Sequence, residues 1–127
     1  LKEHDISFQD IILCQDATMQ LRMDAGLRRY VPDDVRIINF ASYAATAEVL
    51  DGELVFGSQI HGMWDMDRYV NLLMGEIPRL TDNESGYGPN GKDFIAHVDI
   101  PAEVKDAFYE LTKIYGEKTR EANPLYA

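Results

Sequence analysis

The chain has 127 residues, 46% hydrophobic and 27% charged, the usage of a folded domain and far from that of a disordered segment, so one globular domain over 1–127 is expected. Twenty-two acidic against twelve basic residues give a formal charge of −10; such a surface repels nucleic-acid backbones and anionic lipid, which argues against direct nucleic-acid or membrane binding. The lone cysteine, Cys14, admits neither an internal disulfide nor a zinc site of Cys/His spacing.

Ser7 followed by Asp10 resembles a helix-capping arrangement. Behind it Phe8, Ile11, Ile12, Gln15, Met19, Met23 and Tyr30 recur at helical spacing, so the preferred reading is a helix over about 8–29, interrupted near Asp16 or Gly26. The competing reading is a strand over Ile6–Cys14 and a shorter helix from Asp16. "VPDD" at 31–34 is turn and helix-start chemistry. The stretch "VRIINFASYAATAEVL" reads either as a helix buried nearly all round or as a buried strand, "VRIINF", feeding a short helix.

Asp51-Gly52 marks a turn, and "ELVFGS" a short strand. A helix from about Asp65 to Ile77 carries Met66, Tyr69, Val70, Leu73 and Ile77 on one face, with Asp65 as its cap and Pro78 ending it. Residues 78–92 are loop. "DFIAHVDI" alternates like a strand, so segments 53–57 and 93–99 are expected to pair. Pro101 opens a last helix whose stripe of Val104, Ala107, Phe108, Leu111, Ile114 and Tyr115 places it in the core; the tail "EANPLYA" is expected to fray. The fold class expected is therefore α+β, a mostly helical domain of about four helices with a few short strands.

"GYGPNGKD", residues 86–93, matches both G-x-G-x-x-G and G-x-x-x-x-G-K. Either pattern works only between a strand and a helix. Here "LTDNES" precedes and a strand-like segment follows, so the stretch reads as a turn, and no cofactor is expected.

The only grouping with metal or acid–base potential is His61, Asp65, His97 and Asp99, two short-spaced pairs that would converge if strand met helix. The bland reading is a bonded imidazole and helix-start carboxylates. "GMWDM", residues 62–66, joins the only tryptophan, Trp64, to Met63 and Met66, a combination used at adaptable binding surfaces and, more often, in cores. Arg22, Arg28, Arg29 and Arg36 gather four of seven arginines within 15 residues; Arg28 and Arg29 are candidates for holding an anionic group. Cys14 lies in "IILCQ", an apolar setting expected to leave the thiol inert.

"LKEHDISF" has no basic region followed by an apolar run, and no stretch reaches about 18 apolar residues, so a cytoplasmic protein is expected. With no catalytic motif and a strongly acidic surface, the favoured function is a small regulatory or inhibitory module that binds another protein. One form of it presents carboxylates to a basic, nucleic-acid-binding surface. The alternative is a small metal-dependent enzyme or ligand-binding protein using His61, Asp65, His97 and Asp99.

Overall fold

Two β-branched stretches flank the first helix and pair beside it. In the computed structural model, which describes residues 7–116, β1 (Asp10–Gln15) runs into α1 (Gln20–Tyr30) and back into β2 (Arg36–Ala41). The strands lie parallel, with Ile12 opposite Ile38 and Cys14 opposite Phe40, and the intervening helix is the crossover that parallel pairing requires.

Alternation then assigns two faces. Ile11, Leu13 and Ile37 are partly buried on the face that α1 covers, where Gln20 reaches back to the Leu13 carbonyl at 3.0 Å. Ile12, Cys14, Ile38 and Phe40 point the other way and are exposed.

β3 (Ala47–Leu50) and β4 (Glu53–Phe56) form an antiparallel hairpin. Its turn residues, Asp51 and Gly52, have φ of 52° and 84°, the left-handed pair that a two-residue loop needs to match strand twist. α2 (Met66–Leu80) follows, capped by the Asp65 carboxylate, which accepts from the Arg68 amide at 2.8 Å. Pro78 lies inside its last turn, and Thr81 closes the end by donating through its amide and hydroxyl to the Ile77 carbonyl. α3 (Ala102–Tyr115) is the last element described.

The core is small. Ala25, Leu80 and Ile95 are buried together, with Tyr87, Val98 and Ile100 packed against them, so it lies where α1, the end of α2 and the 87–100 segment meet. A buried ion pair ties the first two: Arg22 holds Glu76 through two hydrogen bonds, at 2.5 and 3.2 Å, with the Glu76 side chain 9% exposed.

Several expectations are corrected. Among the described residues there are three helices and four strands in two small sheets, and 36% of them are helical. A mixed α+β class stands, but a mostly helical domain of about four helices does not. The favoured helix over 8–29 is a strand and a shorter helix, because Asp10–Gln15 finds a parallel partner in Arg36–Ala41 and tertiary pairing overrides local period. The pairing of 53–57 with 93–99 is absent: β4 pairs with β3, while Phe94 and Ile95 donate to the Tyr87 carbonyl and Ala96 to that of Ala25. α2 runs past Pro78 to Leu80 rather than ending there, and the proline removes one i→i−4 hydrogen bond from its last turn. On α2, Leu73 is exposed and Leu72, Met74 and Glu76 are buried. α3 buries none of its residues, and Ile114 is 76% exposed, so its apolar stripe is not part of the core. The expected fraying at "EANPLYA" lies outside the described residues.

Candidate functional site

Parallel strands bring their carboxyl ends to the same edge, and crevices there are where open α/β sheets place ligands. Asp16 directly follows β1 and Ser42 directly follows β2, joined by the Ser42 amide donating to the Gln15 carbonyl at 2.9 Å. A cleft of about 280 Å³ opens at that edge, and the segment entering α2 supplies its other wall with Ile60, His61, Met63 and Trp64.

Asp16 is the centre of the cleft. Its Oδ1 accepts from the Thr18 amide (2.9 Å), the Thr18 hydroxyl (2.6 Å) and the Tyr43 hydroxyl (2.9 Å), and its Oδ2 from the Trp64 indole at 3.4 Å. Desolvation pushes the carboxyl upward, but these donors together outweigh it and hold Asp16 below the ordinary carboxylate value. Tyr43, desolvated and bonded to a carboxylate, is pushed well above its ordinary value and keeps its proton. The cleft therefore holds one fixed negative charge walled by aromatic and thioether side chains.

The open face of β1–β2 runs up to this cleft. Along it lie Ile12 (72% exposed), Ile38, Cys14 and Phe40 (62% exposed). The far end carries an exposed ion pair between Arg36 and Asp10, 2.7 Å long. Cys14, expected from its apolar sequence setting to be inert, is exposed on this open face.

The residues singled out by sequence fall in different places. Met63, Trp64 and His61 line the cleft, with Trp64 44% exposed and Arg68 5.0 Å over its ring. Met66 is partly buried in the first turn of α2. Asp65 caps that helix. His97 belongs to another cluster, its Nδ1 2.6 Å from Asp82 and its Nε2 3.1 Å from Asp99. Thus Asp82, rather than Asp65, is the second carboxylate at His97, His61 lies in the Asp16 cleft, and no group of three or more His, Cys, Asp or Glu able to hold a metal occurs among the described residues.

The four arginines disperse to four partners. Arg22 pairs with Glu76, Arg36 with Asp10 and Arg29 with Asp93 at 3.0 and 2.6 Å, while Arg28 donates to the Val35 carbonyl at 2.8 Å. In the 86–93 turn the amides of Gly86, Gly91, Lys92 and Asp93 donate to carbonyls of the chain itself, and that of Asn90 to the Asp82 carboxylate at 2.7 Å. Lys92 lies over the Tyr87 ring. The donors that a phosphate loop would offer are thus turned inward.

Asp82 makes the His97 cluster pH-sensitive. The hydrogen bonds to Asp82 and then Asp99 raise the imidazole above its ordinary 6.5, and the bond to His97, with those from Asn90, lowers Asp82 below 3.8. A raised histidine contributes stability that is full below its unfolded value and lost as pH rises through the folded one; a lowered carboxylate contributes above its unfolded value and loses it as pH falls through the folded one. The pair thus stabilises from the acidic range to around neutrality. Melting temperatures from about pH 5 to about pH 9 should decline through this upper window in the wild type and decline less in His97→Ala. Parallel declines would remove the pair from the account.

Asp16, Ser42 and Tyr43 were not among the residues that sequence reasoning selected. The available signal was Asp16 at the end of "DIILCQ", informative only once that stretch is read as a strand. No protein-family model matches the chain.

Proposed function

We propose that the protein is an interaction module that binds another protein across the open face of β1–β2 and the adjoining cleft. The observation that carries this reading is the uncovered sheet. Parallel sheets are ordinarily covered on both faces, and two strands alone are marginal, yet Ile12, Ile38 and Phe40 are exposed side by side, and among the described residues neither outer edge of the pair is bonded to a further strand. A contiguous apolar patch of this kind marks an interaction surface. Trp64 and Met63 at one end are residue types that anchor interfaces.

The net charge of −10 supports a basic partner, attracted before contact and held afterwards by the apolar patch. A regulatory or inhibitory role in the cytoplasm, by occupying a partner's basic surface, belongs to the same proposal. Among the described residues no helix is long and apolar enough to cross a membrane.

Affinity capture from the native host tests this with two variants. Phe40→Asp places a charge in the middle of the face and should abolish recovery of a stoichiometric partner, whereas Val49→Asp, at a still more exposed residue on the hairpin, should leave it intact. Equal recovery with both would contradict the reading.

A further inference from the structure

We infer that the cleft at Asp16 receives a cationic side chain, a lysine ammonium or an arginine guanidinium, presented by the protein that docks on the β1–β2 face. The inference rests on the interaction reading above and names the chemistry of its contact point.

Four observations support it. First, Asp16 retains acceptor capacity: a carboxylate offers about four acceptor sites, and while Oδ1 takes three donors, Oδ2 has only the long 3.4 Å bond from Trp64. Second, the lining consists of Asp16, two aromatic rings, Met63, Ile60, Ser42, His61 and Gly62, and among the described residues it includes no lysine or arginine. The indole and phenol turn their N–H and O–H toward Asp16, and Arg68 already lies over the indole ring at 5.0 Å, so the attraction for a further cation rests on the charge of the carboxylate.

Third, the size fits. At about 280 Å³ the cleft falls just below the roughly 300–1,000 Å³ of small-molecule sites, and suits one long side chain. Fourth, the donor set favours a monovalent group. Calcium takes about six to eight protein and water oxygens, whereas this lining supplies the single carboxylate of Asp16; magnesium, which keeps several waters and needs only one or two carboxylates, is separated by the titration below. The acidic character of the chain as a whole points the same way. Donors that hold Asp16 below its ordinary value keep it ionised at neutral pH.

Trp64 is the chain's only tryptophan and serves as the reporter. Its fluorescence should be titrated with N-acetyl-lysine amide and N-acetyl-arginine amide, with uncharged N-acetyl-norleucine amide and magnesium and manganese chlorides as comparisons. The cationic amides should give a saturable change that weakens as salt rises, and norleucine none. Asp16→Asn should weaken binding by at least about tenfold, the equivalent of one lost charged contact. Because Asp16 also orders its own turn, Ser42→Lys provides a second test: a resident ammonium at the rim should pre-empt the titration without removing the carboxylate. Equal response to norleucine amide, no saturable response in the wild type, unchanged affinity in a folded Asp16→Asn or Ser42→Lys variant, or saturation by the metal ions alone would each overturn the inference. Phe40→Asp separates the two proposals. If it abolishes partner capture and spares the titration, both stand; if it spares both, the cleft binds cations and the docking face has been misassigned.

Discussion

Replacing Glu76 with alanine is expected to destabilise the chain by about 3 kcal/mol, the lower end of the roughly 3–5 kcal/mol that follows when one partner of a buried ion pair is removed. The lower end applies because the Arg22 side chain keeps 21% of its exposure and part of its hydration, while that of Glu76 keeps only 9%. The loss falls on the contact between α1 and α2, which otherwise meet over little apolar surface: among the side chains of α1 only Ala25 is buried. A midpoint shift of about 10 °C in thermal unfolding would correspond to it for a domain of this size. The double variant Arg22→Met/Glu76→Leu should recover most of the loss, since an apolar pair of similar volume is often as stable as a buried ion pair. A Glu76→Ala protein that melts like the wild type would mean that the pair does not hold the helices together.

Gly86→Ala is the second large expectation. A β-carbon at Gly86 would lie 1.7 Å from the Thr81 carbonyl oxygen and 2.9 Å from its carbon, so the end of α2 and the turn cannot both keep their positions. Both are backbone, and neither yields as a side chain would. Overpacking typically costs about 1–3 kcal/mol and occasionally more; the upper end is expected, because the turn places Tyr87 and Ile95 against Ala25 and Leu80. Gly62→Ala is the contrast. Its φ is 72° but nothing lies within 4 Å of the added carbon, so only the left-handed backbone term of about 1–2 kcal/mol remains. Urea denaturation of the two variants should rank them in that order, and the reverse order would show that close backbone approach is not why glycine stands at 86.

These two sites also show where sequence reasoning reached and where it stopped. The glycines of 86–91 are legible as a turn, because Pro89, Asn90 and Gly91 carry local turn chemistry, and local chemistry decides turns. The Asp51-Gly52 hairpin turn and the Asp65 cap are legible for the same reason. Glu76 is invisible, since a buried carboxylate interrupts the hydrophobic period by which a buried helix face is recognised.

The β1 stretch illustrates a third case. Ile11, Ile12 and Leu13 satisfy helix and strand periods alike over so few residues, and the decision rests with β2, more than twenty residues away. Once "DIILCQ" is taken as helix, Asp16 marks an interruption within one long helix rather than the end of a strand, and the cleft disappears from view. Trp64 and Met63 were selected as a residue combination, but their meeting with Asp16 across 48 residues has no counterpart in spacing. His97 does meet Asp99, two residues on, but its closer partner, Asp82, comes from the far side of the turn. α3 errs in the opposite direction: its period is clear, and it buries nothing, because an apolar stripe reports a face that seeks cover without saying what covers it.

The claim that the β1–β2 face is where a partner sits is tested most directly by the chemical accessibility of Cys14. This thiol is the chain's only one and lies in the middle of that face, opposite Phe40. Its alkylation rate can be followed by mass spectrometry in the free protein and in the complex recovered by affinity capture. The account predicts ready labelling of the free protein and strong protection in the complex, with recovery when the complex is dissociated. Equal rates in the free and bound protein would contradict it.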